Sequence, residues 1–211
     1  MHILTVSPDR YVNYLDHLAQ MYRLRAKVFS GRLAWDVTIT EAGERDEYDR
    51  FDPTYILAVT DNQNVVACAR LLPTLGPTML EQTFPQLLTI SLNASANTVE
   101  SSRFCVDTTL AAGRGAGQLH LATLMMFAGI IEWSIANGYE EIVTATDLRF
   151  ERILNRAGWP IKRLGEPVAI GNTVAVAGTL PADLESFMRV CPQGYRSIVA
   201  DDRGRQIRSA A

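Results

Sequence analysis

The sequence predicts an α/β sandwich built around one mixed sheet, and three observations carry this. Strand-like runs lead the chain and alternate with helical runs later, the order expected of packed α/β layers. Of the 211 residues, 47% are hydrophobic, which lets a chain of this length bury a sizeable core without staples. No internal repeat or low-complexity segment breaks the pattern, so residues 1–211 are read as a single domain.

Residues 2–7 read as a short strand, and Pro8 and Asp9 as a helix start. From there Tyr11, Tyr14, Leu15, Leu18, Met21, Tyr22, Val28 and Phe29 recur at three- and four-residue steps, an apolar helical stripe. Residues 30–53 lose this periodicity and hold glycines, charges and Pro53, which predicts a long surface loop. YILAVT at 55–60 and VVACARLL at 65–72 are β-rich, and the DNQN between them signals a hairpin. A short helix is expected over 78–88 and a strand over 98–106. After the glycine-rich 113–117 a long helix runs to about Asn137 and ends at Gly138. EIVTAT at 141–146 reads as a buried strand and LRFERILNRAG as a helix with Gly158 past its end. VAIGNTVAVAG at 168–178 suggests a hairpin, and PADLESFMRV a last helix with proline in its first turn.

Charge and cysteine content exclude several functions. The formal net charge of −3 argues against non-specific DNA binding as the main task. Cys68, Cys105 and Cys191 are odd in number and widely spaced, with neither a CxxC pair nor a Cys/His ligand spacing. Neither a disulfide framework nor a zinc site is therefore expected, and Cys68 and Cys105 read as buried thiols in strands. The opening MHILTVSPDR lacks the basic and apolar regions of a signal peptide. The uncharged apolar run from Leu121 to Ile131 is about half of what a membrane span needs and reads as a core helix. A soluble, cytoplasmic protein with no nucleic-acid, membrane or metal partner is expected.

Some charges sit where charges are costly. Arg25 falls on the apolar stripe of the first helix, so it either snorkels at the edge or points inward toward anionic partners. Such partners exist in GERDEYDRFD at 43–52, where five of ten side chains are acidic. Arg70 ends the VVACAR strand and by itself is an ordinary strand-end charge. Glu100 and Arg103 share the TVESSRFCV strand, where strict alternation puts them on opposite faces. Either one faces solvent, or a bulge re-aims one of them and leaves backbone N–H groups unpaired.

LRAKVFSGRLAW at 24–35, then ERDEYDRFD, then ESSRFCVD together resemble the signature of the acyl-homoserine lactone synthases, bacterial autoinducer synthases of the LuxI type. The pattern falls on Arg25, Phe29, Trp35, Asp46, Asp49, Arg70, Glu100 and Arg103 with no position missing. The likeness runs on through TATDLRFERILNRAGWP and LGEPVAIGNT, so it covers nearly the whole chain and is closest to the rhizobial type.

This resemblance implies a three-layer α/β/α sandwich with a mixed, mostly antiparallel sheet, similar to the Gcn5-type N-acyltransferases. It implies transfer of an acyl chain from acyl carrier protein, or in some members coenzyme A, to the amine of S-adenosylmethionine. Lactonisation then releases methylthioadenosine. S-adenosylmethionine is a substrate here, and no cofactor or metal is called for. Asp46 and Asp49 are expected to point inward and pair with Arg25, Arg70 and Arg103 around that substrate, with Glu44, Glu47 and Asp52 left as solvated bystanders. Phe29 and Trp35 would offer aromatic faces to the sulfonium and adenine. Glu100 is the candidate base, directly or through a water. Backbone N–H groups at a bulge near Arg103–Cys105 would hold the oxyanion.

For the acyl chain, Phe104, Met125, Met126, Phe127 and Val143 are candidate lining residues. Thr144 and Thr146 alternate on one strand face, and Thr144 resembles the threonine that accompanies 3-oxo chains in some members, which favours a medium-length 3-oxo product. Arg149, Arg152 and Arg156 lie at i, i+3 and i+7 on one helical face, with Lys162 and Arg163 close behind and only Glu151 acidic between them. That is either a solvated basic face or a docking site for an acidic carrier protein.

Two rivals remain on the sequence alone. An acetyl-coenzyme-A N-acetyltransferase of the same fold would use GRGAGQLHLA at 113–122 as a pyrophosphate loop, but leaves 24–52 without a purpose. A non-enzymatic binding module has no DNA-reading element or repeat surface to support it.

Overall fold

The computed structural model describes residues 1–33, 35–109 and 119–196. Among these residues the strands are β1 His2–Val6, β2 Ile39–Thr40, β3 Gly43–Glu44, β4 Thr54–Val59, β5 Val65–Pro73, β6 Thr98–Val106, β7 Glu141–Asp147, β8 Lys162–Arg163, β9 Val168–Ile170 and β10 Thr173–Pro181. The α-helices among them are α1 Leu15–Ala26, α2 Met79–Gln82, α3 Leu121–Ala136, α4 Leu148–Arg156 and α5 Leu184–Val190.

One sheet runs β1-β4-β5-β6-β7-β10-β8, with β9 pairing the other end of β10. Every neighbouring pair is antiparallel except β6·β7. That parallel pair is short, joining Thr98–Glu100 to Glu141–Val143. Beyond it the strands part, although β7 keeps its full register with β10 from Glu141↔Pro181 to Asp147↔Ala175. The Thr144 hydroxyl donates to the Ser101 carbonyl at 2.8 Å, a side-chain stitch where the ladder has ended.

Helices cover both faces of this sheet. Side chains of α3, α4 and α5, including Phe127, Leu154 and Val190, pack with Ile56, Ala69, Leu71 and Val99 in the larger apolar core. On the other face α1 sets Leu18, Met21, Tyr22 and Leu24 against Tyr55, Leu57, Cys68 and Cys105. The two cysteines face each other across β5·β6 with sulfurs 3.4 Å apart, both buried. Helix ends follow local chemistry: Asp147 and Asp183 accept backbone N–H bonds at the starts of α4 and α5. Gly138 and Gly158, both with φ of 81°, let the chain turn away after α3 and α4.

Several expectations need correction. The first helical stripe is three pieces: a 3-10 turn over Pro8–Asn13, then α1, then a π-helical segment Lys27–Arg32. Residues 30–53 are not a plain surface loop, because β2, β3 and a 3-10 turn Glu47–Arg50 order them and bury Glu44, Tyr48 and Asp49. The helix expected over 78–88 shrinks to α2 and a 3-10 turn Pro85–Leu87. Pro181 closes β10 instead of opening α5, where it ends a strand whose last residue needs no further ladder donor. Residues 113–117 of the glycine-rich loop lie outside the described residues. No helix among the described residues is long and apolar enough to cross a membrane.

Candidate active site

The acidic stretch is brought inside by one glycine. Gly43 has φ of +118°, and a Cβ there would lie 2.4 Å from the Tyr22 carbonyl carbon and oxygen. Only glycine lets β3 press this closely on α1. The next residue, Glu44, is thereby delivered beneath the helix with 0% exposure. Asp46 then caps the 3-10 turn, accepting from the N–H groups of Tyr48 and Asp49, while Asp49 returns a bond from the Asp46 N–H at 2.9 Å. This reciprocal box fixes both carboxylates on the inner side of the turn.

Three arginines meet them. Arg25, fully buried on α1, holds Asp49 in a bidentate pair at 2.8 and 2.9 Å and also donates to Glu44. Arg70, fully buried on β5, bonds Asp46 and reaches Asp49 at 3.0 Å. Arg103 donates to Glu44 at 3.1 Å and lies 2.7 Å from Asp46 Oδ2. That Oδ2 is buried and makes no hydrogen bond of good geometry. Tyr55 adds a bond to Asp49 at 2.8 Å and is itself in contact with the Tyr22 hydroxyl. Burial alone would raise the Asp49 carboxyl, but Arg25 and Arg70 hold it well below the usual carboxylate range.

Of the two alternatives for β6, a solvent-facing charge or a bulge, the structure has the bulge. Register with β5 jumps from Cys68↔Cys105 to Arg70↔Ser102, and Arg103 sits at φ of 53°. Without it Arg103 would point at the larger core with Ser101. With it, Glu100, Ser102 and Arg103 all face the cluster, and Phe104 takes the opposite face. Glu100 is 1% exposed and accepts from the Met79 and Leu80 N–H groups at 3.2 and 2.7 Å. Burial pushes its carboxyl up, and those N–H groups with Arg70 pull only part of that back. The Met79 sulfur lies between Arg70 Nη2 at 2.9 Å and Arg103 Nη1 at 3.3 Å.

On the opposite face the parting of β6 and β7 leaves a narrow apolar slot. Ser101, Phe104, Thr144, Phe127, Phe150 and Trp159 are among its walls. Its free volume is about 20 Å³, room for about one water molecule. Outside it, α4 carries Arg149, Arg152 and Arg156 and β8 carries Lys162 and Arg163, and all five are exposed. Of these five, Arg163 alone pairs with a carboxylate among the described residues, Glu151 at 2.7 and 2.8 Å.

The family model described as Autoinducer synthase matches residues 9–190. The chain belongs to that family. An acyl-homoserine-lactone synthase from Rhizobium radiobacter is 71% identical over 100% of both chains. Among solved structures, a coenzyme-A-dependent acyl-homoserine lactone synthase, BjaI, bound to S-adenosylmethionine and isopentyl-CoA, is 25% identical with a TM-score of 0.80, covering 90% of this chain and 87% of that one. A candidate N-acetyltransferase from Lactobacillus plantarum, 14% identical with a TM-score of 0.57 over 87% of this chain and 100% of that one, shares the fold alone. The protein is thus an acyltransferase that makes acyl-homoserine lactones, on the α/β fold its resemblance implied.

Within this synthase the structure gathers Arg25, Asp46, Asp49, Arg70, Glu100 and Arg103 into one cluster. Phe29 lies beside it under Arg103, but its ring is buried and stacked on Trp35 at 5.3 Å. Phe104 and Thr144 reach the slot. Thr146, Met125 and Met126 do not line it: both methionines are core side chains of α3. Val143 faces the other side of the sheet, against Leu80 and Leu87. Glu44 is a correction outright, since it is a buried partner of two arginines and not a solvated bystander. Glu47 and Asp52 are exposed. Tyr55 and Met79 also touch the cluster unforeseen. Gly43 explains the burial of Glu44 only through its approach to Tyr22, and nothing local distinguishes Tyr55 from a core tyrosine.

Proposed function

We propose that the protein acylates the amine of S-adenosylmethionine with a chain delivered by acyl carrier protein and then closes the homoserine lactone, releasing methylthioadenosine. The observation that carries this reading is the buried cluster of three guanidiniums and four carboxylates at the β6 bulge. With Glu100 ionised it has one excess negative charge, complementary to a substrate bearing a sulfonium, an ammonium and one carboxylate. Asp46 Oδ2, buried and short of a hydrogen bond, is the acceptor we assign to the ammonium.

The amine attacks the thioester carbonyl, an N–C bond forms, and the C–S bond breaks as the thiolate leaves. Through a water, Glu100 takes one proton from the ammonium before attack, and the second proton, lost from nitrogen as the tetrahedral intermediate collapses, goes to the leaving thiolate. Backbone N–H groups at the bulge steady the oxyanion. In the second step the substrate carboxylate attacks its own γ-carbon. The carbon–sulfonium bond breaks, and its electron pair leaves with sulfur, so that both products are uncharged. A neutral thioether and a neutral lactone lose their attraction to the cluster, which favours release.

The acyl chain enters the slot beside Phe104, whose half-buried ring must turn aside, and the Thr144 hydroxyl can exchange the Ser101 carbonyl for a 3-oxo group. A medium-length 3-oxo chain is the product we expect. Arg149, Arg152, Arg156 and Lys162 dock the acidic carrier, leaving Arg163 to brace Glu151. Both substrates are made in the cytoplasm, where we assign the reaction.

The test is purified protein with S-adenosylmethionine and matched acyl thioesters on carrier protein or coenzyme A. Methylthioadenosine release with a higher kcat/KM for the carrier-bound donor is expected. Equal or better use of the coenzyme A thioester would overturn the donor, and no release with either would overturn the reaction.

A further inference from the structure

Trp159 follows α4 and is 2% exposed, yet it lines the slot. Its place along the slot follows from register. Thr144 pairs with Gly178 and Glu141 with Pro181 on β10. The Trp159 indole N–H donates to the Pro181 carbonyl at 2.8 Å, so the ring is anchored at the level of Glu141. There β6 and β7 are still paired, Thr98 against Glu141. The parted end lies at Ser101, Thr144 and Phe104, three residues or about 10 Å further along the strands. Ring contacts follow the same line: Phe104 meets Phe127 at 5.5 Å, and Phe127 meets Trp159 at 5.5 Å.

We propose that Trp159 is the end-stop that sets acyl-chain length. The chain passes Phe104 and Thr144 and runs toward the closed end, where a rigid indole, pinned by its own hydrogen bond, limits how many methylenes fit. Phe104 and Phe150 are half-buried, whereas Trp159 is buried and its indole N–H is held by the Pro181 carbonyl. Close packing makes one methylene matter at such a wall. The proposal rests on the reading that the acyl chain lies in this slot.

The experiment gives wild type, Trp159→Phe and Trp159→Leu a homologous series of saturated acyl thioesters, with methylthioadenosine release and lactone mass as readouts. Wild type is expected to show a sharp fall in kcat/KM past one length. In Trp159→Leu the ratio of kcat/KM for the next-longer over the preferred donor should rise by about tenfold. Trp159→Phe, which keeps the contact with Phe127, should move it the same way by less. A purely structural role would lower all donors together and leave the ratio unchanged, and that result overturns the proposal. So does a gradual wild-type decline with no cut-off, should Trp159→Leu fail to fold. Failure of the underlying reading looks different: Phe104→Ala, at the parted end of the slot, then leaves the profile over donor lengths unchanged as well, whereas it alters that profile if the chain lies in the slot and only the end-stop is wrong.

Discussion

The two faces of β6 are built on different physics. One face sends Glu100, Ser102 and Arg103 into a cluster where nearly every polar atom has a named partner. The other sends Ser101 and Phe104 to a slot defined by ring contacts and one hydroxyl stitch. The charged face is fixed by hydrogen-bond geometry, so isosteric changes should be severe there. The apolar face is fixed by volume, so changes should shift preference and leave the reaction running.

Asp49→Asn attacks the charged face most directly, since Asp49 touches Arg25, Arg70 and Tyr55. Product formation should vanish, and urea unfolding should show a loss of about 3–5 kcal/mol. Because Arg25 and Arg70 depress the folded-state carboxyl, its contribution is present above the ordinary aspartate pKa of about 3.9 and is lost as pH falls through the folded value. Wild-type stability should therefore drop more steeply than that of the variant below about pH 4. Equal slopes would remove Asp49 as the network's hub.

Glu44→Gln sharpens the same side. It keeps the shape and removes the charge facing Arg25 and Arg103. A stability loss of about 2 kcal/mol, with activity reduced much more than for Glu47→Gln, is expected. Parity of the two variants in a methylthioadenosine assay would make Glu44 the bystander after all.

Charge reversal at Arg152 and Arg156 should raise KM for acyl carrier protein by about tenfold at low salt, an effect that shrinks as ionic strength rises. An unchanged KM at low salt would leave the basic surface as solvated charge.

The smallest effect is expected at Thr144→Val. Its lost bond to Ser101 should cost about 1 kcal/mol of stability. The ratio of 3-oxo to saturated product in mass spectra should fall by about tenfold at most. A loss of all activity would mean that the slot face is no more tolerant than the cluster.

Much of this was legible from residue pattern alone. The conflict between strand alternation and the Glu100–Arg103 spacing was visible in a nine-residue string, and the bulge resolves it. Arg25 on an apolar stripe left two readings, an edge side chain or an inward one, and the inward one holds, with Asp49 and Glu44 as its anions. What stayed hidden depends on contacts distant in sequence. Residues 30–53 have no period because their order comes from packing on α1 and from a cap, not from an apolar stripe. Glu44 could be placed inside only by knowing that Gly43 lies against Tyr22. Met125 and Thr146 were plausible by type, but depth along α3 and β7 is set by where β6 and β7 part, which no local pattern encodes.

That parting divides the sheet into two plates. All seven charged cluster residues belong to the plate β1-β4-β5-β6 and the elements around it, before residue 107. Within the sheet the second plate, β7-β10-β8, joins the first through three register pairs, the Thr144 stitch and the Glu140 and Glu141 N–H groups on the Asn97 carbonyl, and the cores above and below pack across the join. The seam therefore divides the sheet by chemistry: every guanidinium and carboxylate of the cluster is held on one side of it, while Thr144, Phe150 and Trp159 of the slot belong to the other side. A change of bulk on the second plate thus leaves each hydrogen bond of the cluster with its partner.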